Sequence, residues 1–389
     1  MPWNRLPIRA ITGAACIAAL AGCGSSQNPM DPGSVVSPGS TSAYRVTNLV
    51  SDGAVPANTV DANLKNPWGV VFNGGGLNGG GGVLAPVWVA DNGTNTATLY
   101  DGTGTPFPLA AAPFVFPVPA GSNGPANPTG IVFNKTSDFA INAGTGLGLP
   151  ASFIFSGEGG TIAAFNNATL QGEVTVFDSG AAAAVYKGLA LGSNGSANFL
   201  YATDFHNNRI DVFDKGFQKV AAPGGFADPS LPQGYAPFGI QAIGNSIYVS
   251  YAPQKAPENH DEMDGPGLGL VDVYDADGHL LKRLVTGGPL NAPWGMALAP
   301  ADFGQFSNTL LVGNFGDGTI NAFDPASGAF LGKVSDANGK AIAYPGLWGI
   351  VFGNDIEQQP HNTLFFAAGI NDEADGLYGR IDLVPAGGG

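Results

Sequence analysis

Two short acidic cassettes carry the densest potential chemistry in this chain: His260-Asp261-Glu262-Met263-Asp264-Gly265 and Asn371-Asp372-Glu373-Ala374-Asp375-Gly376. Carboxylates packed this closely around a tight turn repel one another unless a cation or water separates them, and hard oxygen ligands suit calcium. Asp261, Glu262, Asp264, Asp372, Glu373 and Asp375 are therefore the candidate metal ligands, with calcium as the candidate cofactor. The second cassette resembles the start of an EF-type loop, with Asn371, Glu373, Asp375 and Gly376 at alternating positions. It lacks the distal Glu, and a solvated acidic loop would have the same composition.

A second set, Glu158, Asp204 and His206, stands beside strand ends together with Asp91, Asn314 and Asp317. A Glu or His there could act as a general base once a neighbouring metal tuned its pKa. Asp204-Phe-His-Asn-Asn208 is also ordinary hairpin-turn chemistry, and that reading ranks ahead. A third set precedes a recurring glycine: Trp68, Thr129, Lys187, Phe238, Trp294 and Trp348. The aromatics Trp68, Phe238, Trp294 and Trp348 would form a stacking platform for sugars or planar ligands if exposed. As buried wedges between neighbouring sheets they would be structural, and that reading leads because large aromatics in β folds are mostly core. Thr129 and Lys187 interrupt the ring.

The elements that must position these residues repeat. The glycines fall at 69, 130, 188, 239, 295 and 349, at intervals of 61, 58, 51, 56 and 54 residues. Short apolar runs and turns at such a period point to propeller blades. Each repeat reads as four strands. Strand a is an apolar run after the glycine, such as Gly130-Ile-Val-Phe133. Strand b is a second apolar run, such as Val87-Trp-Val-Ala90. Strand c closes on a signature such as Leu99-Tyr-Asp101 or Val212-Phe-Asp214, and strand d is a more polar outer run. The sixth repeat ends after strand c, while residues 44–50 read as a strand d with no blade before it. The fold expected is an all-β, six-bladed propeller of four-stranded antiparallel blades, closed by 44–50 pairing with the last blade. Antiparallel order puts the d–a and b–c loops on one face, so cassettes and pre-glycine residues share a mouth.

Composition narrows the class. Gly 60, Pro 30 and only 12 % charged residues suit many turns between buried strands. A net charge of −15 argues against a nucleic-acid partner, which calls for clustered Lys and Arg. There is no Walker-type phosphate loop, no His-Glu-x-x-His and no Cys-x-x-Cys. At the N-terminus, Arg5 and Arg9 precede a short apolar run, and Leu20-Ala-Gly-Cys23 resembles a bacterial lipoprotein box. The expected organisation is a leader over 1–22, a flexible tether over 23–43 starting at lipidated Cys23, and the propeller over 44–389. Gly24, rather than Asp, after the cysteine favours the outer membrane. The protein would then be an exported, monomeric envelope lipoprotein touching the membrane only through its lipid.

Asn48-Leu-Val-Ser-Asp52, Asn66-Pro-Trp-Gly69, Asp204-Phe-His206, Ala236-Pro-Phe238, Leu311-Val-Gly-Asn-Phe-Gly-Asp-Gly318 and Asn371-Asp-Glu373 together resemble an uncharacterised family of secreted bacterial propeller proteins, over residues 44–384. More distantly the chain is similar to NHL-repeat and gluconolactonase-type propellers. The resemblance implies a six-bladed ring and brings no activity, since the calcium-binding Glu/Asn/Asp triad of the lactonases has no matching motif here. The function expected is binding of an unknown ligand or an envelope protein on the b–c face, possible calcium dependence included. The alternative is a calcium-dependent lactonase, hydrolase or lyase in the central channel, for which Glu158, Asp204 and His206 must converge.

Overall fold

Close approach of six inner strands around one axis organises this molecule. The computed structural model describes residues 43–73, 85–107, 114–142, 148–166 and 174–384, so the leader, Cys23 and the tether lie outside the described residues. The described chain forms six antiparallel blades of four strands, with three short 3-10 turns and no α-helix among the described residues.

Strand a of the blades runs over Pro67–Phe72, Pro128–Phe133, Tyr186–Ser193, Tyr235–Ile243, Pro293–Leu298 and Leu347–Phe352. Strand b runs over Val87–Asp91, Phe153–Gly157, Asn198–Asp204, Ser246–Pro253, Leu310–Asn314 and Leu364–Ala368. Strand c runs over Thr96–Tyr100, Thr161–Phe165, Arg209–Phe213, Leu270–Asp275, Ile320–Phe323 and Leu377–Val384. Strand d follows in the first five blades at Val115–Pro117, Val174–Asp178, Lys219–Val220, Leu280–Thr286 and Phe330–Lys333. In blade 6 it is Ala43–Ser51, which pairs antiparallel with Leu377–Val384, with Val46 opposite Ile381. The ring closes as the sequence predicts. A two-residue strand, Thr59–Val60, adds in parallel to its outer edge.

The recurring glycine has a steric cause. A Cβ on Gly69 would lie 2.6 Å from the carbonyl oxygen of Thr129, on Gly239 2.1 Å from that of Trp294, on Gly295 2.3 Å from that of Trp348, and on Gly349 2.6 Å from that of Trp68. These four inner strands thus lie against the pre-glycine residue of the next blade, and only glycine permits it. Every strand a–strand b pairing also shifts register beside this position, as between Tyr186 and Gly188. A bulge re-aims the residue it displaces. Here it displaces the ring Trp68, Thr129, Lys187, Phe238, Trp294 and Trp348.

Apolar cores fill the spaces between neighbouring blades, as where Ile154, Ile162 and Ala164 of blade 2 meet Leu189, Leu200 and Phe213 of blade 3. Along the axis there is a cavity of about 40 Å³ lined by the inner-strand glycines and by side chains such as Val70, Ile131, Leu189 and Ile350. No carboxylate lines it.

Candidate functional site: the b–c mouth

The aromatic members of the ring meet each other at the centre of the molecule. Trp68 stacks on Trp348 with ring centroids 3.4 Å apart, and Trp294 meets both edge-on at 6.0 and 5.7 Å. Phe238 and Phe315 pack against Trp348, and Phe205 against Phe238. Trp68, Phe238 and Trp348 are buried and Trp294 is half-buried. They are neither an open stacking platform nor wedges set one to each blade boundary; they form one floor beneath the mouth. Offset and edge-on ring pairs of this kind add about 1 kcal/mol each beyond the area they bury. Trp348 Nε1 donates to Asn66 Oδ1 at 3.2 Å and Trp294 Nε1 to the Lys187 carbonyl at 2.8 Å, whereas Trp68 Nε1 is buried with no acceptor.

Lys187, a break in the aromatic pattern, is the centre of the electrostatics. Its bulge carries the ammonium over this floor, 5.2 Å from the Trp68 ring and 5.9 Å from Phe205, a cation–π arrangement. Nζ lies 2.6 Å from Glu158 Oε1, 3.8 Å from Glu262 Oε2 and 3.9 Å from Asp261 Oδ1. Asn92 Nδ2 donates to the other Glu158 oxygen at 2.9 Å. Asn66 Nδ2 in turn donates to Glu373 Oε1 at 3.0 Å and to Asn92 Oδ1 at 3.4 Å. An arc of polar groups therefore runs Glu373, Asn66, Asn92, Glu158, Lys187, Glu262, drawn from blades 6, 1, 2, 3 and 4.

Charge is unevenly shared along it. Burial opposes ionisation of Glu158, but Lys187 and Asn92 outweigh it and hold the carboxyl below its usual range. Burial likewise opposes the Lys187 charge, yet Glu158 and Glu262 hold the ammonium protonated, above its usual value. Glu262 goes the other way: burial pushes it up to about 7, Lys187 opposes, and Glu373 and Glu158 add to the rise. Glu373 is raised by burial too, against the Asn66 hydrogen bond. On the outer side, His260 Nδ1 lies 2.8 Å from Asp261 Oδ1 and 4.0 Å from Glu158 Oε1. The hydrogen bond to Asp261 raises the imidazole and lowers the carboxyl.

Of the six acids in the two cassettes, Asp261, Glu262 and Glu373 reach this cluster. Glu262 and Glu373 hold the same place in their cassettes. Asp264 and Asp372 are exposed, and Asp375 turns to Lys65 at 2.9 Å and to Asn371. Glu158, Asp204 and His206 do not gather at one point. Asp204 accepts from the Val185 and Asn207 backbone, from Asn207 Nδ2 and from Arg209, and so stays within its own blade. His206 Nδ1 lies 3.0 Å from the Glu258 carbonyl, at the edge of the mouth. Sequence reasoning missed Asn66, Asn92 and the central part of Lys187. The signal for the last was there: a lysine at a position its siblings fill with aromatics.

What this arrangement can do is bind positive charge. One ligand atom each from Glu158, His260 and Asp261 lie within 4.8 Å of one another, close enough to share a metal ion. A nitrogen among the donors favours manganese or zinc over the all-oxygen set that calcium takes.

No family model matches this sequence. Two uncharacterized proteins of Acanthamoeba polyphaga mimivirus are each 31% identical to it. One matches over 374 residues, 91% of this chain and 82% of its own length; the other over 378 residues, 91% and 88%. The chain belongs to their family. These relatives are viral, not the secreted bacterial proteins the sequence resembles, and they bring no activity to the family. Among solved structures the chain is similar to a glucose dehydrogenase (TM-score 0.49, 13% identity, 88% of this chain and 99% of that one). It is also similar to virginiamycin B lyase from Staphylococcus aureus (TM-score 0.45, 16% identity, 88% and 100%). Likeness at this distance carries no argument about chemistry, which rests on the mouth itself.

Proposed function

We propose that the protein is a binding propeller whose b–c mouth receives a cationic ligand, a divalent metal ion being the simplest. One observation carries this: Glu158, Asp261, Glu262 and Glu373 converge from three blades around the single ammonium of Lys187. Four carboxyl groups around one lysine, on a buried aromatic floor, give oxygen donors where the dielectric is low, and Glu262 and Glu373 resist ionising there without further positive charge. A cationic ligand supplies it. The Glu158–His260–Asp261 group is the entrance side of that site, and Glu262 and Glu373 line its inner side. Calcium remains the ion for which the carboxylates alone would select, and manganese the ion that uses His260 as well.

The test is calorimetric titration of the full chain with manganese chloride, then of Glu158→Gln and Asp261→Asn. Binding by the wild type that weakens at least tenfold in both variants is the expected result. Equal binding by all three would rule the mouth out as the site.

A second reading, hydrolase- or lyase-like acid–base chemistry in the same mouth, is favoured by one fact. Glu158 is kept ionised while Glu262, beside the same lysine, keeps its proton to about pH 7. Carboxyls whose environments push their pKa values apart are the usual acid and base of such reactions.

A further inference from the structure

A second, separate place in the ring lacks a positive charge that blades 3, 4 and 5 possess. In blade 3, strand b ends on Asp204 opposite Arg209, and Ala202 stands opposite Asp211. Arg209 bonds both carboxylates at 2.9 Å, and Lys219 of strand d reaches Asp211 at 2.5 Å. In blade 4, Asp272 holds the position of Asp211, and Arg283 of strand d bonds it together with Asp228. In blade 5 the strand-d cation is Lys333, 3.2 Å from Thr319 Oγ1 and 3.5 Å from Asp317. Buried or half-buried acids on this face are thus answered by a basic side chain from the same blade.

Blade 1 has the acids without the base. Asp91 stands opposite Thr96, Val89 opposite Thr98 and Val87 opposite Tyr100, so Asp91, Thr96, Thr98 and Tyr100 share one sheet face. Val87, Val89 and Tyr100 on that face pack with Leu49, Phe365 and Tyr378 of blade 6 and with Leu64. Asp61, from the same connection as Leu64, accepts a hydrogen bond from Tyr100 Oη at 2.9 Å. Asp91, Thr98 and Tyr100 are fully buried and Asp61 is 5% exposed. No hydrogen bond to Asp91 Oδ1 or Thr98 Oγ1 meets full geometry and Asp91 Oδ2 has a 3.5 Å contact with Thr96, while the Thr98 hydroxyl and N–H lie close enough to Asp91 to oppose the effect of its burial. Strand d offers Val115, Phe116 and Pro117 where blades 3, 4 and 5 carry Lys or Arg. Lys65, the nearest lysine in the chain, is engaged by Asp52 and Asp375. Among the described residues no basic group pairs with Asp61 or Asp91.

We propose that the boundary between blades 1 and 6 holds a hard metal cation of the calcium class, bound by Asp61 and Asp91 with the Thr98 and Tyr100 hydroxyls beside it. All four groups offer oxygen, which selects calcium over softer ions. The cation takes the place of the strand-d Arg or Lys and ties the closing blade to the first. Asp91 is fully buried in an apolar boundary with no basic partner among the described residues, and a counter-charge there would offset the cost of that burial.

Thermal unfolding of the full chain in calcium chloride and in chelator, at constant ionic strength, tests this. In the mouth variant Glu158→Gln/Asp261→Asn, which separates this site from the one proposed above, calcium at a hundredfold over its dissociation constant should raise Tm by roughly 4 °C, and adding Asp91→Asn should abolish the rise. A mouth variant that calcium does not shift overturns the proposal. A shift retained once Asp91→Asn is added overturns it equally. Should Asp91→Asn fail to fold, calcium-competed terbium emission decides, measured in the mouth variant with and without Thr98→Val. Affinity reduced about tenfold by the valine supports the site, and unchanged affinity contradicts it.

Discussion

A lysine set among carboxylates settles which of them ionises first, and the others compete for protons. Glu158 takes the Lys187 charge; Glu262, 3.8 Å away and behind it, titrates near 7 instead of the ordinary 4.5. Between those values the folded chain holds a proton that the unfolded chain has released, so stability contributed by this group falls as pH rises from about 5 to 7. A shift of this size corresponds to about 3 kcal/mol for a side chain as buried as this one. In chelator, Glu262→Gln should therefore match the wild type near pH 4.5 and exceed it by about 3 kcal/mol above pH 7, as measured by urea unfolding. A difference that stays flat with pH would contradict the assignment. The acids themselves were legible in the sequence; which of them face inward was not. Asn371, Asp372 and Glu373 take three successive positive φ values of 56°, 51° and 64°, a left-handed turn that brings Glu373 to Asn66. Such strained backbone is set by the tertiary fit of the loop and leaves no mark in composition.

Strands were the most legible elements, because each repeats an apolar run at a fixed distance from a glycine that cannot be replaced. Gly239 and Gly295, with carbonyl oxygens 2.1 and 2.3 Å from any added Cβ, show why. The bulges beside them were not legible, since a register shift of one residue changes no pattern of hydrophobicity outside the shifted pair. Those bulges decided the fate of the aromatic ring: the tryptophans turn to the centre and bury one another. The orphan strand before blade 1 was legible from the counting of strands alone. Its partner strand, Leu377–Val384, would be a bare edge without it, and Tyr44, Leu49 and Val50 would lose their burial. Loss of three such side chains costs on the order of 10 kcal/mol. A chain lacking residues 1–51 should unfold at least about 10 °C lower or elute as oligomers in size-exclusion chromatography. An unchanged Tm in a monomeric peak would show that ring closure contributes little.

For the molecule as a whole, the two ends of the axis differ. The mouth bears the carboxylates of blades 2, 4 and 6, while the axis below holds a cavity of only about 40 Å³ with no carboxylate in its lining. The proposed ligand would therefore meet this ring from the b–c face, with the aromatic floor beneath it. The six-bladed architecture followed from the repeat, whereas the kinship to viral proteins did not, since packing grammar is shared by propellers of any origin. The central claim is that the mouth takes up a cation. Crystals of the full chain grown with manganese chloride, measured for anomalous scattering at the manganese edge, test it most directly. The account predicts a peak within bonding distance of Glu158, His260 and Asp261. A mouth with no peak, and the Lys187–Glu158 pair in place with Glu262 and Asp261 unligated, would contradict it.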